Sequence, residues 1–494
     1  MRLFEILLSI ANLLAMLVFV LPLPRGLFWM RYWVPIALLI AVAQVWVEGP
    51  RWQMTPAYAL VGMCFLVWLL NFAATRGATG QIPINRLVVG LGVLGLMVSI
   101  VLPSLIPVFR FPQPSGPYEI GTWTYHWTDT SRPEIFSANP NARRELMVQI
   151  WYPAKQGSAS THTPYLQDAG TVATGLARLH HFPDFVLQHL RYVTTHATES
   201  APVADIEASY PVLIFLEGLT GYRQMNMFQV EELVSHGYIV VGIDQPGVAA
   251  TVVFPDGHQI AGLSKAEMEP LTQQSAHPSE EVPVLNGRAF KDGNIPYFAQ
   301  DVSFVLDQLA SMNTADPNHI LIHKLDLQHV GVFGVSFGGI VAGEACLKDS
   351  RLKACLVMDV LMTADVVQQG LQQPAMWITR DADTMRLERQ KAGGWTEKDI
   401  EQTQTTMRTV YDHLPGAGYF VQVPGMFHID LTDINAVSPL FPIVGFSGPI
   451  GAERAHTIIN AYTLAFFDKH LKNQPEQLLD GPAQAYPEVR FESR

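Results

Sequence analysis

A single serine stands in a pattern that is typical of covalent catalysis. Residues 334–339 read Gly-Val-Ser-Phe-Gly-Gly, and they lie between an apolar stretch and a helical pattern at 337–347. In such a turn from strand to helix the serine oxygen is exposed above the sheet, and the chain passes so close two residues before and after it that glycine fits best. Ser336 is therefore the candidate nucleophile, with Gly334 and Gly338 as the turn glycines. A glycine-rich turn with an inert serine is the alternative.

Nucleophilic attack by a serine also requires N–H donors for the oxyanion that forms on the substrate. One candidate donor is the backbone N–H of Phe337, the residue after the serine. The other is the N–H of Leu219, in the loop 217–221 that directly follows an apolar strand pattern at 211–216. A loop in that position supplies the second donor of this type of site. An ordinary glycine turn is the alternative interpretation of the loop.

The candidate base is His428, one of sixteen histidines in the chain. It lies after a strand-like stretch at 419–423 and before a long helical pattern at the C-terminus. That is the position of the base when the chain order is serine, acid, histidine. His413 is the main rival, but it lies inside a helical pattern ahead of that strand.

Position alone leaves the acid that would orient the histidine open. Asp359 directly follows the strand predicted at 354–358, whereas Asp381 and Asp383 follow the next predicted strand at 375–379. The position after the later strand is the commoner one for the acid of such a triad. Spacing alone does not decide between the two positions.

Strands and helices that could position these residues alternate along the chain. Apolar, β-branched stretches predict strands at 146–151, 210–216, 238–243, 330–333, 354–358, 375–379 and 419–423. Helical patterns at 226–236, 296–311 and 337–347 lie between them. This alternation implies a mostly parallel sheet with helices on both faces. Together with the serine turn it predicts an α/β class protein with the α/β-hydrolase fold.

Several segments together resemble the plasma-type platelet-activating factor acetylhydrolases and their bacterial relatives. The resemblance extends over residues 117–472 and rests on segments 217–223, 233–244, 331–339 and 356–359 and on His428. That family carries its acid on the strand after the nucleophile helix, twenty-three residues beyond the serine, and Asp359 stands at that spacing. The resemblance therefore implies Asp359 as the acid.

The same resemblance implies an activity. The implied residues are a triad of Ser336, Asp359 and His428, with the N–H groups of Leu219 and Phe337 as oxyanion donors. We expect a serine esterase or lipase that forms an acyl-enzyme, needs no cofactor or metal, and removes short acyl groups from a phospholipid or a related small ester. Two other functions stay open: a non-catalytic membrane sensor or scaffold, and a serine peptidase on the same fold.

One position departs from the family pattern. Relatives usually have His-Gly before the oxyanion leucine, and this chain has Glu217-Gly218. A carboxylate beside a developing oxyanion would oppose it unless the carboxylate is paired or points away. We expect Glu217 to bind backbone donors or Arg223, and a substrate preference that differs from that of the family is the alternative.

The N-terminal part of the chain is strongly apolar. Four runs of about 20 residues, the length that crosses the hydrocarbon of a membrane as a helix, occupy 3–22, 27–47, 56–74 and 87–109. We expect four spans in an all-α transmembrane region, or three if Arg31 prevents the second from crossing. A cleaved signal peptide at 1–22 is the alternative, but Glu5 stands in its would-be basic region and no cleavage site precedes Pro24.

Charge divides the chain in the same way. Seven Arg and two Glu give residues 1–110 a net charge of +5. Because the whole chain has a net charge of −12, the remainder carries −17. An acidic soluble part excludes nucleic acid and docking on anionic lipid, because both need clustered Lys and Arg. We expect a transmembrane region at 1–110, a Pro-rich linker at 111–120, the catalytic domain at 121–480 and a C-terminal tail at 481–494.

The arginines also predict an orientation. Arg25, Arg31, Arg76 and Arg86 lie in or beside the first and third loops, and Arg2, Arg51 and Arg110 lie on the other side. The positive-inside rule then places those two loops in the cytoplasm and the catalytic domain outside it. We expect a multi-pass protein of a bacterial inner membrane. Cys346 and Cys355 could pair, and we expect ordinary buried thiols.

Overall fold

The computed structural model describes residues 1–21, 25–75, 86–137, 139–158 and 161–494. It divides into two units, one of Met1–Phe109 with Val437–Leu440 and one of Arg110–Ala436 with Phe441–Arg494. Two features of the predicted membrane region, its first span end at Pro22 and the loop residue Arg76, lie outside the described residues.

Four helices of the N-terminal unit are long and apolar enough to cross a membrane within the described ranges. The candidate spans are Leu3–Val20, Trp29–Val47, Trp52–Ala73 and Leu87–Leu105. They contain or overlap the α-helices α1 (Leu3–Val20), α2 (Trp33–Val47), α3 (Thr55–Thr75) and α4 (Arg86–Leu105). A 3₁₀ helix at Arg25–Tyr32 precedes α2, so Arg31 lies outside the α-helix. The fourth helix ends earlier than the predicted 109, because Pro107 disfavours helical backbone at the residue before it.

Small side chains and Arg–Glu ion pairs connect the helices of this unit. The buried small residues are Ala11, Ala15, Ala37, Ala41 and Ala57. Small side chains let membrane helices approach closely. The buried Arg51 pairs with Glu5 of α1 at 2.6 Å and also donates to the Ile106 carbonyl at 2.6 Å. These contacts join the ends of α1 and α4 to the loop before α3.

A mixed sheet forms the centre of the second unit. Its strands are β1 (Glu119–Pro133), β2 (Arg143–Ala154), β3 (His162–Pro164), β4 (Thr194–Glu199), β5 (Tyr210–Leu216), β6 (Ile239–Asp244), β11 (Leu325–Val335), β12 (Leu352–Met358), β13 (Ala375–Thr379), β14 (Gly418–Gln422) and β15 (Arg490–Ser493). Within the described residues the strand order is β15-β14-β13-β12-β11-β5-β6-β2-β1-β4-β3. Six neighbouring strands of this order, β14, β13, β12, β11, β5 and β6, are parallel to one another. Two short hairpins, β7 (Thr251–Val253) with β8 (Gln259–Ala261) and β9 (Val284–Leu285) with β10 (Arg288–Ala289), lie outside this sheet.

Helices follow most of the parallel strands. They are α5 (Ala169–Leu179), α6 (Met227–Ser235), α7 (Lys265–Ala276), α8 (Ile295–Ala315), α9 (Phe337–Lys348), α10 (Ala364–Gln369), α11 (Ala382–Ala392), α12 (Glu397–Asp412), α13 (Phe441–Val444) and α14 (Ala452–Leu471). Alternate side chains of β11 face opposite layers, since Phe333 meets Phe467 of α14 while Val332 packs in the core cluster that contains Val341 of α9. The predicted α/β-hydrolase architecture is confirmed.

Several strands were not predicted from the sequence, β1 and β15 among them. The long β1 pairs with β2 along most of its length, although its sequence alternates polar and aromatic residues without an apolar run. The predicted C-terminal tail contains β15, which pairs antiparallel with β14. Phe491 explains that pairing, because its ring packs against the rings of Tyr419 and Tyr462.

Candidate active site

The turn after β11 holds Ser336 in a conformation that few side chains adopt. Its φ is 55° and its ψ is −123°, and α9 begins at the next residue. A Cβ at Gly338 would lie 2.1 Å from the Leu216 carbonyl oxygen, and one at Gly334 would lie 2.3 Å from the Gly338 carbonyl oxygen. Both distances are far below van der Waals contact, so only glycine fits at the two positions. The backbone strain at Ser336 is typical of a residue displayed for function.

The loop after β5 lies beside this serine. A Cβ at Gly218 would be 3.4 Å from the Ser336 Cβ. The loop is fixed from outside, because the Thr220 N–H donates to the Val248 carbonyl at 2.8 Å. The N–H groups of Leu219 and Phe337 donate to no backbone acceptor within the part of the chain that the structure describes. The predicted role as oxyanion donors requires such N–H groups without a backbone partner.

Asp359 lies directly after β12, the strand next to β11 in the sheet. The Ser336 N–H donates to the carbonyl of Met358 at 2.9 Å, which brings the serine and the aspartate to the same edge of the sheet. The Asp359 side chain is fully buried, and its Oδ2 accepts a hydrogen bond from His428 Nδ1 at 2.7 Å. Its Oδ1 accepts from the Thr379 hydroxyl at 2.8 Å and from the backbone N–H of Arg380 at 3.1 Å.

Burial and charge act in opposite directions on this carboxylate. Burial raises the pKa of Asp359, but the adjacent Arg380 guanidinium and the hydrogen bond with His428 outweigh burial and hold the pKa well below its usual range. The two alternative acids have other partners. Asp381 caps α11 by accepting from the Thr384 N–H at 2.7 Å, and the exposed Asp383 pairs with Arg386.

His428 opens a short 3₁₀ helix, His428–Leu431, in the loop after β14. Its side chain is 25% exposed, in contrast to the fully buried Asp359. When a carboxylate accepts from Nδ1, Nε2 is the nitrogen that can take a proton. The rival His413 lies at the end of α12, exposed, with its Nδ1 at 2.7 Å from the Thr409 carbonyl. The structure thus joins His428, and not His413, to a candidate acid.

Three side chains around Asp359 and His428 were not predicted from sequence. The buried Arg380 donates to Asp359 Oδ2 through Nε at 2.7 Å. Glu388 of α11 accepts from the Arg380 guanidinium and, at 3.2 Å, from the backbone N–H of His428. The Trp395 ring lies 4.9 Å from the Arg380 guanidinium carbon and 5.3 Å from the His428 ring. The one signal in the sequence was the position of Arg380, directly after β13.

Glu217 is fully buried at the base of the oxyanion loop. Its Oε1 accepts from the Gln245 N–H at 2.9 Å, whereas Arg223 pairs with Asp244. Of the two predicted partners, the structure therefore shows the backbone donor. Burial, with the nearby Asp244 charge, raises the pKa of the Glu217 carboxyl well above its usual range. Burial and the Asp244 charge thus both disfavour a negative charge on Glu217 beside the oxyanion.

Other reactive groups in the described residues offer no second centre. Cys64, Cys346 and Cys355 are free, buried thiols. No group of three or more His, Cys, Asp or Glu side chains there is arranged to hold a metal ion.

The sheet order, the serine turn and the histidine after β14 define an α/β-hydrolase. The chain matches the family described as platelet-activating factor acetylhydrolase, isoform II, over residues 106–482. Since that match takes in more than half of the chain, the protein belongs to this family.

Individual relatives agree with this assignment. A probable 1-alkyl-2-acetylglycerophosphocholine esterase of Arthroderma benhamiae is 26% identical over 433 residues, which are 82% of this chain and 99% of that relative. The platelet-activating factor acetylhydrolase of Canis lupus familiaris is 24% identical over 56% of this chain and 61% of its own length. The solved structure of a ferulic acid esterase from Streptomyces cinnamoneus superposes with a TM-score of 0.59 and 26% identity, covering 78% of this chain and 99% of that one. This protein is a carboxylic ester hydrolase similar to the 1-alkyl-2-acetylglycerophosphocholine esterases.

Proposed function

We propose that this protein is a membrane-anchored serine hydrolase that acts through an acyl-enzyme. Ser336 is the nucleophile, His428 the general base, and Asp359 the residue that orients the histidine. The observation that carries this proposal is the 2.7 Å hydrogen bond between Asp359 and His428 at the end of the strand next to the strained serine. The same arrangement on an idle scaffold would leave a buried carboxylate and a positive φ at the serine without a role.

The reaction proceeds in two acyl transfers. His428 Nε2 takes the proton of the Ser336 hydroxyl as its oxygen attacks the ester carbonyl, and the N–H groups of Leu219 and Phe337 donate to the oxyanion. The C–O bond to the alcohol then breaks, and the leaving oxygen receives the proton from His428. Water, deprotonated by the same histidine, attacks the acyl-enzyme. The bond from the acyl carbon to the Ser336 oxygen then breaks, and His428 returns the proton to that oxygen as the acid leaves.

For the substrate we propose a phospholipid with a short acyl group, or a related small ester. The family and the relative named as an alkyl-acetylglycerophosphocholine esterase support this class. The solved structure with a similar fold belongs to an esterase that is named for a different ester. The buried Glu217, where relatives usually have His, is the position at which we expect preference to differ.

A substrate panel tests the reaction class. Full-length protein in detergent is assayed against phospholipids with acetyl, butyryl and palmitoyl groups at the second position, a feruloyl ester, and peptide anilides. We expect hydrolysis of the short-acyl esters, a burst of alcohol release equal to the enzyme concentration, and no activity in Ser336→Ala. Cleavage of peptides but not esters would contradict the proposal and favour a peptidase.

We also propose that the four N-terminal helices anchor the enzyme in a bacterial inner membrane, with the catalytic unit outside the cytoplasm. Their length and apolar composition support membrane insertion. The orientation rests on the excess of arginine in the first and third loops. An anchor of this kind keeps the enzyme close to amphiphilic esters.

A further inference from the structure

A buried cation lies directly beside the proposed catalytic histidine. The Arg380 guanidinium is fully buried, binds Asp359 Oδ2 through Nε at 2.7 Å, and brings its NH2 group to 3.5 Å from His428 Nδ1. During acyl transfer His428 must itself become a cation. A fixed positive charge at this distance opposes that change, because like charges in contact disfavour the charged form.

A second carboxylate offsets this cation. Glu388 accepts from the Arg380 guanidinium on the side away from Asp359, and the same oxygen accepts from the His428 N–H at 3.2 Å. Glu388 is on α11, whose start is fixed by the Asp381 cap. Trp395 lies over the guanidinium with the His428 ring at its edge, which keeps the group close to the imidazole.

We propose that Arg380 and Glu388 are positioning residues that set the pH range in which His428 acts as the base. With neutral His428, the charges of Asp359, Arg380 and Glu388 sum to −1, and protonation of the imidazole brings the group to zero. Asp359 alone would hold the imidazolium strongly, the Arg380 charge weakens that effect, and the Glu388 charge restores part of it. Arg380 and Glu388 together therefore set the net charge beside His428, and they also hold Asp359 and His428 in position. This inference rests on the proposed function.

Other charged groups near His428 have partners of their own. Asp430, two residues later, accepts from the Phe427 N–H at 2.7 Å and the Gly448 N–H at 2.9 Å, and so shapes the histidine loop. Asp381 caps α11 and pairs with Arg490. Among the groups of β12, β13, α11 and the histidine loop, Asp359 and Arg380 thus contact the imidazole, and Glu388 contacts the backbone N–H of His428.

The test is the pH dependence of kcat/KM for a soluble short-acyl ester. Its acidic limb reports the pKa of the base in the free enzyme. Arg380→Met removes a positive charge, so the limb should move to higher pH by about one unit or more. Glu388→Gln removes a negative charge and should move the limb to lower pH by about one unit. Gln retains an acceptor for both Arg380 and His428, and Arg380→Lys, which keeps the charge, should leave the limb near its original position.

A purely structural role gives a different result. Activity would then fall by the same factor at every pH, with no displacement of the limb, or both variants would move the limb in the same direction, and either outcome overturns the proposal. If Arg380→Met does not fold, Glu388→Gln still decides the sign. Loss of all activity in Ser336→Ala, with wild-type pH profiles in both charge variants, would reject this inference and leave the proposed function intact. Full activity in Ser336→Ala would reject the proposed function itself.

Discussion

Asp359→Asn should abolish most of the activity by reversing the hydrogen-bond polarity at His428. The carboxylate accepts from Thr379 and the Arg380 N–H on Oδ1 and from Arg380 Nε and His428 on Oδ2. An asparagine has one acceptor oxygen and one NH2 group. In either rotation its NH2 group faces an N–H of Arg380, so one donor always meets another donor.

The magnitude follows from these contacts. A hydrogen bond to a charged group contributes about 1.5 to 3 kcal/mol, which alone is a factor of about 10 to 100 in rate. When the NH2 group faces His428, it also favours the wrong tautomer, in which Nε2 carries the proton and cannot accept one from Ser336. The combined loss in the best-studied triad is about 10⁴ in kcat. We expect a loss of about 10³ to 10⁴, with the lower value if Arg380 retains part of the geometry.

Stability has to be followed in the same experiment. Removal of one partner of a buried ion pair costs about 3 to 5 kcal/mol, and Arg380 keeps Glu388 as a second partner, so we expect a loss near the lower value. kcat for a soluble acetyl ester is therefore measured well below the unfolding temperature, with near-native circular dichroism as a requirement.

The matched control is Asp381→Asn. Asn caps helices as well as Asp, and the Asp381 pair with Arg490, whose side chain is 63% exposed, contributes little. We expect a rate within about threefold of wild type, since surface pairs of this kind contribute under about 1 kcal/mol. The reverse pattern, a near-normal Asp359→Asn and an inactive Asp381→Asn, would show that the acid is the one after β13.

Three further outcomes are expected. Gly338→Ala puts a Cβ 2.1 Å from the Leu216 carbonyl oxygen, so it should destabilise the protein by about 1 to 3 kcal/mol and abolish activity, while Gly416→Ala, with open space around its Cβ, should be neutral in a melting experiment. Because the folded-state pKa of Glu217 is raised, its contribution to stability is present below the ordinary pKa of 4.5 and is lost as pH rises. Glu217→Gln, which does not titrate, should therefore gain stability relative to wild type between pH 5 and pH 8 in chemical denaturation, and a constant difference would contradict this. For topology, an alkaline phosphatase fused to the C-terminus should be active, and a fluorescent protein that matures only in the cytoplasm should stay dark when it is fused at the same position. Fluorescence from the second fusion would place the catalytic unit in the cytoplasm.

The catalytic strands could be predicted because their signals are local. Buried parallel strands are continuous apolar runs, and the Gly-x-Ser-x-Gly pattern around Ser336 lies within five residues of chain. The bounds of α6 and α9, Met227–Ser235 and Phe337–Lys348, agree closely with the predicted patterns. The close approach at Gly334 is to the nearby Gly338 carbonyl, whereas the one at Gly338 is to the Leu216 carbonyl of a distant strand.

The rest depends on contacts between distant residues. Arg380 binds a carboxylate twenty-one positions earlier, and no periodicity distinguishes it from a surface arginine. The strand β15 forms only because Phe491 finds aromatic partners on β14 and α14. Position alone likewise left Asp359 and Asp381 open, since both follow buried strands, and the tertiary partners of their side chains differ.

The most direct test of the central claim is the site of covalent modification. Full-length protein in detergent is treated with a fluorophosphonate, digested and mapped by mass spectrometry, beside the Ser336→Ala and His428→Ala variants. We expect one adduct, on the peptide that contains Ser336, absent from Ser336→Ala and strongly slowed in His428→Ala. An adduct on another residue, or labelling that persists in Ser336→Ala, would contradict the assignment of Ser336 as the nucleophile.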